Sequence, residues 1–179
     1  MAAPAISLSH FGIHVTDSAR MEDFYTRVLG LLVTDRGGLP GGPTLTFLSH
    51  DPDQHHQLVL VTGRPPGVEY NVVNQISFKV PTLADLKALH ARMREEGIKD
   101  FRIVTHGNAW SVYFGDPEGN RVELFVDTPW HTPQPFAEAF DIEAPVEAIL
   151  AQTEAICRNR PGFVSRADWR QTQVERMGV

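Results

Sequence analysis

The residues of greatest chemical interest lie on a predicted β-hairpin that spans residues 111–126. β-Branched and aromatic residues flank a turn sequence at 116–119, and this pattern is typical of two paired strands. Glu123 lies on the second strand, and a carboxylate among apolar neighbours is costly to bury without a partner. A metal ion is one candidate partner, and a salt bridge with Arg121 or Arg102 is the other.

Two histidines near the N-terminus could belong to such a metal site. His10 and His14 share one face of a strand predicted for residues 6–15, because side chains alternate along a strand. They stand four residues apart, roughly 13 Å at ~3.3 Å per residue, which is too far to share one ion. An ordinary strand-end histidine is the competing interpretation of His10.

The elements that position these groups follow one order twice, βαβββ. Asp17 or Ser18 caps the first helix, which Gly30 ends, and Thr82 caps the second, with Asp85 as its capping-box partner. The glycine- and proline-rich residues 36–43 predict a loop. The predicted strands are 6–15, 31–35, 44–49 and 57–62 in the first block, and 74–80, 101–105, 110–114 and 121–126 in the second.

A single offset of 65 residues relates the two blocks. It carries His10 to Gln75, and it carries the acidic turn at 51–53 to the one at 116–118. One constant offset over two blocks of the same order indicates an internal repeat. The predicted fold is therefore α+β, with two tandem βαβββ modules that form a cleft-shaped mixed sheet.

The predicted boundaries divide the chain into one domain and an extension. Residues 1–127 form the domain, with module one at 6–63 and module two at 72–127. Residues 128–179 are a Pro-rich and helical C-terminal extension, which could cover the cleft, cover a sheet edge or contact a second subunit.

Composition excludes several classes of function. The 179 residues carry a net charge of -6, which argues against a nucleic-acid surface. No apolar run of roughly 18 residues predicts a membrane span, and the N-terminus lacks the pattern of a signal peptide. The single cysteine, Cys157, suits a reducing compartment, so we expect a cytoplasmic protein.

Two stretches carry a family resemblance over roughly residues 6–127. Residues 10–17 (HFGIHVTD) and 24–30 (FYTRVLG) resemble the opening of vicinal-oxygen-chelate proteins, which include glyoxalase I, bleomycin-resistance proteins and type I extradiol dioxygenases. The stretch from His106 to Glu123 resembles the signature of ring-cleaving dioxygenases, most closely those of the biphenyl-2,3-diol type. The resemblance also implies a homodimer.

The resemblance implies a metal site of three ligands. Carried over, His10 and Glu123 are two ligands, and the position of the second histidine falls on Gln75. The amide oxygen of Gln75 could serve as a ligand, or the side chain could be a hydrogen-bonding core amide. Fe(II) is the implied metal, Mn, Ni or Zn are alternatives, and a metal-free site is a further one.

Further roles follow for residues around the cleft. The resemblance implies that His106 and Tyr113 line the substrate site and that His56 assists proton transfer, with replacement of the missing ligand as its second possible role. An unperturbed histidine pKa of ~6.5 suits acid–base work. His14 and Phe125 are predicted substrate contacts, and simple strand residues are the competing interpretation of His106 and Tyr113.

The 65-residue offset also gives a predicted facing for His56. The offset pairs Leu58 with Glu123, so His56, two residues before Leu58, is expected to share that facing.

Three functions remain in competition. The first is a metal-dependent extradiol dioxygenase that cleaves a catechol-type aromatic with O₂. The second is a glyoxalase-like isomerase or lyase that uses a different divalent ion. The third is a metal-free protein of the bleomycin-resistance type that binds a small aromatic molecule.

Overall fold

The computed structural model describes residues 6–38, 40–68 and 71–178, which divide into two compact units. The first unit contains the described residues up to 72 together with 116–120, and the second contains residues 73–115 and those from 121 onward. The predicted extension from residue 128 belongs to the same compact unit as module two.

The first unit is built on a four-stranded sheet and one helix. Its elements are β1 (Phe11–Val15), α1 (Ser18–Asp23) with a π-helical continuation (Phe24–Val28), β2 (Leu32–Gly38), β3 (Thr44–Ser49) and β4 (Leu58–Thr62). The strand order is β1-β4-β3-β2, in which β1 and β4 are parallel and the other pairs antiparallel.

The helix of the first unit begins and ends where the sequence predicts. Asp17 is the N-cap, and its side chain accepts from the backbone N–H of Arg20 at 3.0 Å. Gly30 follows the helical segment at a φ of 80°, a conformation that favours glycine. The largest side chains that bury completely between helix and sheet include Met21, Tyr25, Leu58 and Leu60.

The second unit has a five-stranded sheet with one helix across it, and a two-stranded sheet and two further helices in the extension. Its elements are β5 (Ile76–Lys79), α2 (Leu83–Glu95), β6 (Arg102–Thr105), β7 (Ala109–Gly115), β8 (Arg121–Asp127), β9 (Trp130–His131), β10 (Glu138–Ala139), α3 (Val146–Arg158), β11 (Val164–Ser165) and α4 (Arg166–Met177). The sheet order is β10-β6-β7-β8-β5, with β5 and β8 parallel. The predicted α+β fold with two βαβββ modules is confirmed.

The C-terminal extension covers a sheet edge, one of its three predicted roles. β10 pairs antiparallel with β6 and so occupies backbone groups that an edge strand would leave open. Helix α3 is fixed to the sheet by Trp110, whose indole N–H donates to Thr153 at 2.8 Å. Within the described residues no helix is long and apolar enough to cross a membrane.

Two predicted boundaries are wrong. The first strand begins at Phe11 rather than at residue 6, and residues 6–10 are exposed. The predicted loop at 36–43 is shorter, because β2 continues to Gly38 and pairs there with Thr44. Residue 39 lies outside the described residues.

The offset between the two modules is not constant. Phe11 pairs with Leu58 in the first sheet, and Ile76 pairs with Val122 in the second. Leu58 therefore corresponds to Val122 at an offset of 64, and Val59 is the counterpart of Glu123. The predicted equivalence of Leu58 and Glu123 is wrong by one residue, which reverses the facing because side chains alternate.

Candidate functional site

Polar side chains form a row across one face of the second sheet. In the strand register Ser77 of β5 and Tyr113 of β7 both lie opposite Glu123 of β8. Phe125 is on the same face as Glu123 and lies opposite Ser111 of β7. The opposite face carries the apolar side chains that pack against α2, so the polar row is separate from the core of this unit.

Glu123 is a buried carboxylate whose hydrogen-bond partners among the described residues are neutral groups. The residue is 6% exposed, and its Oε2 accepts from Ser77 Oγ at 2.5 Å and from Gln75 Nε2 at 2.8 Å. Among the ion pairs of the described residues none involves Glu123, so the predicted alternative of a salt bridge with Arg121 or Arg102 does not occur there. A buried charge without a counterion fits a cation.

Gln75 uses its amide nitrogen toward this carboxylate. Nε2 donates to Glu123 and also lies 2.9 Å from the hydroxyl oxygen of Ser77. The geometry is that of a hydrogen-bonding amide, which was one of its two predicted roles. The amide oxygen is the atom that a metal would require, so ligation by Gln75 remains a prediction.

Tyr113 lies between Glu123 and His106. It stands opposite Glu123 in the strand register, and its hydroxyl lies 2.8 Å from Nε2 of His106. Burial raises the pKa of Tyr113 to about 12, and the neighbouring Glu123 carboxylate acts in the same direction. The phenol therefore holds its proton at neutral pH.

The C-terminal extension sets the tautomer of His106. Nδ1 of His106 lies 2.6 Å from the carbonyl oxygen of Phe136. Because a carbonyl only accepts, Nδ1 carries a proton, and Nε2 of the neutral ring accepts from the Tyr113 hydroxyl. Sequence reasoning did not find Phe136, since it lies outside the motif and nothing local marks its carbonyl as a partner.

Ser77 was the other residue that the sequence analysis missed. Its hydroxyl makes the shortest contact to Glu123. The alternation of β5 placed Ser77 on the face of Gln75, so this signal was present in the sequence.

A histidine cluster occupies the first unit. The rings of His10 and His56 are 4.1 Å apart between centroids, and His55 Nδ1 lies 2.9 Å from His56 Nδ1. Phe47 contacts both His55 and His56 with ring edges. Burial lowers the pKa of His56, and His10 and His55 lower it further, which favours a neutral imidazole that can accept a proton.

The contact of His56 with His10 does not come from the predicted facing. His56 lies just before β4 rather than within it, and Leu58 is completely buried with the core. The loop therefore brings His56 to His10. His14 is exposed on β1, and alternation places it on the face of His10.

The predicted metal ligands are distributed over both units. His10 belongs to the first, and Gln75 and Glu123 belong to the second. In the described part of the chain no group of three or more His, Cys, Asp or Glu side chains is arranged to hold a metal. Metal binding by this chain therefore requires a ligand of another residue type, or His, Cys, Asp and Glu ligands that do not lie together in one cluster.

The chain belongs to the glyoxalase/bleomycin resistance protein/dioxygenase superfamily, whose profile matches residues 7–124. It is 33% identical over 125 residues to biphenyl-2,3-diol 1,2-dioxygenase 3 of Rhodococcus globerulus. That match covers 67% of this chain and 63% of the relative, so this chain matches less than two thirds of the relative's length.

Solved structures show the same fold at lower identity. A glyoxalase/bleomycin resistance protein/dioxygenase domain from Frankia sp. has a TM-score of 0.58 at 20% identity, covering 70% of this chain and 100% of the other. The fosfomycin resistance protein FosX from Listeria monocytogenes, complexed with Mn(II) and sulfate, has a TM-score of 0.55 at 16% identity, covering 70% and 95%.

Proposed function

We propose that the chain is an enzyme of this superfamily that opens the ring of a catechol-type aromatic by metal-dependent extradiol cleavage with O₂. The observation that carries the proposal is the hydrogen bond between Tyr113 and His106 on the strand directly opposite buried Glu123. The similarity to a biphenyl-2,3-diol dioxygenase supports the same substrate class.

Glu123 is the proposed metal ligand of the second unit, because its buried charge has no cationic partner among the described residues. Gln75 would contribute its amide oxygen after its nitrogen leaves Glu123. His10 remains the predicted third ligand. Fe(II) is the proposed metal, with Mn, Ni or Zn as alternatives. When bound, the metal supplies Lewis-acid and oxygen chemistry.

The residues of the second unit can hold and move protons at defined atoms. Tyr113 has one hydroxyl proton, and Nε2 of His106 at 2.8 Å is its acceptor. A proton that arrives at Nε2 converts His106 into a donor to Tyr113 and frees the phenol proton for donation to substrate. His106 is therefore the proposed acid–base group, with Tyr113 as the substrate-facing donor.

His56 is the proposed second base, in the first unit. Its lowered pKa keeps the imidazole neutral at neutral pH, and its contact with His10 fixes the ring. A neutral imidazole can accept a proton from a substrate hydroxyl. His14 and Phe125 remain proposed substrate contacts.

A metal-free aromatic-binding protein is the second candidate. The contact that favours it is the hydrogen bond from Gln75 to Glu123, which already satisfies the carboxylate oxygen that also accepts from Ser77. In that case the polar row would bind a diol through hydrogen bonds alone.

The test is reconstitution of anaerobically purified protein with Fe(II), followed by a panel of catechols under ¹⁸O₂. The proposal predicts ring-opened products that carry label from O₂. Binding of catechols without metal and without products would favour the second candidate. If the protein neither binds nor cleaves any catechol, both candidate functions are excluded.

A further inference from the structure

An open cavity of about 630 Å³ adjoins the proton-transfer residues of the second unit. Its lining residues are Arg102, His106, Gln134, Pro135, Phe136 and Ala137. The family match ends at residue 124, so this chain builds the wall at 134–137 from its C-terminal extension. The volume is in the range of small-molecule sites.

The wall of this cavity is held against His106 by several contacts. The side-chain amide of Gln134 donates to the His106 carbonyl at 2.7 Å, and its oxygen accepts from the backbone N–H of Phe136 at 3.1 Å. The guanidinium of Arg160 lies 4.1 Å from the centre of the Phe136 ring. The wall is therefore a defined surface that a ligand can contact.

Arg102 is the charged group of the cavity. Its guanidinium lies 5.5 Å from the centre of the Tyr113 ring, and the residue is exposed. None of the ion pairs found in the described ranges involves Arg102, and no lining residue is a carboxylate. A planar guanidinium without a protein counterion can bind a carboxylate through two hydrogen bonds.

We propose that this cavity is a subsite for an anionic substituent and that the substrate is a catechol that carries a short carboxylate side chain. The inference rests on the proposed function, because it uses the same Tyr113 and His106. The carboxylate of the ligand would pair with Arg102 and the diol would lie toward Tyr113. The negative charge of Glu123 disfavours the reverse orientation. Pro135 and Phe136 would contact the methylene groups between ring and carboxylate.

The experiment compares two ligands of similar size, 3-(2,3-dihydroxyphenyl)propanoate and 3-propylcatechol, by calorimetric titration of protein with and without added Fe(II). We expect the anion to bind about tenfold more tightly than the neutral catechol, which corresponds to about 1.4 kcal/mol. The preference should disappear in Arg102→Gln and decrease in Arg102→Lys, which keeps the charge but loses the planar fork. Arg170→Gln, an equal charge change on α4, should keep the preference.

Equal affinity of the two ligands for the unaltered protein would overturn the inference, as would an unchanged preference in Arg102→Gln. Failure of the proposed dioxygenase function and failure of the anion subsite give different results. If no catechol is cleaved but 3-phenylpropanoate binds in a manner that depends on Arg102, the anion subsite stands without the dioxygenase. If 3-propylcatechol is cleaved and the anion has no advantage, the dioxygenase stands without the subsite.

Discussion

The amide nitrogen of Gln75 lies 2.8 Å from Oε2 of Glu123, at the position where the family resemblance implies a second histidine ligand. In this arrangement the amide is a hydrogen-bond donor to the carboxylate rather than its companion ligand. The proposed metal site therefore has its weakest donor at Gln75, because an amide oxygen is a poorer ligand for Fe(II) than an imidazole.

Gln75→His should strengthen metal binding. An imidazole beside Glu123 adds a nitrogen ligand that Fe(II) prefers, and we expect at least a tenfold lower dissociation constant in anaerobic titration. Gln75→Leu is the control, since it removes the hydrogen bond to Glu123 without adding a ligand. Equal Fe(II) affinity of the histidine and leucine variants would show that residue 75 does not face the metal.

Tyr113→Phe should change the pH dependence of stability. The folded-state pKa of about 12 lies above the ordinary value of 10.0, so the unfolded chain loses this proton first as pH rises. The contribution of Tyr113 is thus complete below its unfolded pKa and is lost between roughly pH 10 and 12.

Urea unfolding of both proteins from neutral to alkaline pH checks this expectation. The free energy of unfolding of the parent should fall more steeply than that of Tyr113→Phe above pH ~10. The variant should also lose turnover by roughly a factor of 100 or more if the phenol transfers a proton. Parallel stability curves would contradict the assigned shift in pKa.

Asp116→Ala should destabilise the protein far more than the related substitution Asp51→Ala. Asp116 is 7% exposed and accepts from Tyr25 at 3.0 Å and from the side chain of Asn120 at 2.7 Å. Its loss leaves buried donors unsatisfied, at a cost of about 2–4 kcal/mol. Asp51 accepts from the backbone N–H of Asp53 at 2.9 Å in a half-buried turn, and its loss should cost about 1 kcal/mol.

Chemical denaturation of the two variants measures this difference. Equal losses of stability would show that the two turns are energetically equivalent, contrary to their burial. Tyr25→Phe should cost less in the Asp116→Ala background than alone, because the two residues share one hydrogen bond.

Gly107→Ala should detach the C-terminal extension locally. A Cβ at this residue, whose φ is 75°, would lie 2.2 Å from Cγ2 of Thr132 and 3.0 Å from Sγ of Cys157. We expect a loss of about 2–4 kcal/mol from overpacking and backbone strain together. Gly97→Ala is the matched control, with a φ of 80° and no atom within 4 Å of the added Cβ, and should cost roughly 1 kcal/mol.

The thiol of Cys157 reports this change. It is completely buried, and burial raises its pKa, so a thiol reagent should react slowly with the parent and with Gly97→Ala. Faster labelling in Gly107→Ala would show that the extension has moved away from Gly107. Identical labelling of all three proteins would contradict the expected detachment.

Local signals predicted the elements of the fold well. Asp17 and Thr82 cap their helices as expected, and Asp85 completes the second cap with a backbone N–H donated to Thr82 at 3.1 Å. These features depend on residues a few positions apart. The twofold βαβββ order followed from them.

Register was less predictable, because it depends on loop length between strands. Leu48 pairs with Leu58 in the first sheet and Phe114 pairs with Val122 in the second, so the connection between the paired residues is two residues longer in the first unit. A 65-residue offset therefore fits the turns and fails by one residue at β4, so the facing assigned to His56 through Leu58 does not hold.

Contacts between residues that are far apart in the sequence could not be predicted. The bond from His106 to the carbonyl of Phe136 joins residues 30 positions apart. Any residue supplies a carbonyl, so no side-chain type marks this partner. The polar row was predictable in part, because the repeat related Gln75 to the site of Glu123 and the family resemblance placed Tyr113 there.

The Fe(II) content of anaerobically reconstituted protein, compared among the parent, Glu123→Gln and His10→Ala, tests whether this chain is a metal-dependent dioxygenase. We expect stoichiometric Fe(II) and labelled ring-opened catechol in the parent, with both lost in Glu123→Gln and metal content reduced in His10→Ala. If the metal content is unchanged in His10→Ala but lost in Glu123→Gln, His10 is excluded as a metal ligand. A parent without metal, or equal metal in the parent and Glu123→Gln, would contradict the proposed metal site at Glu123.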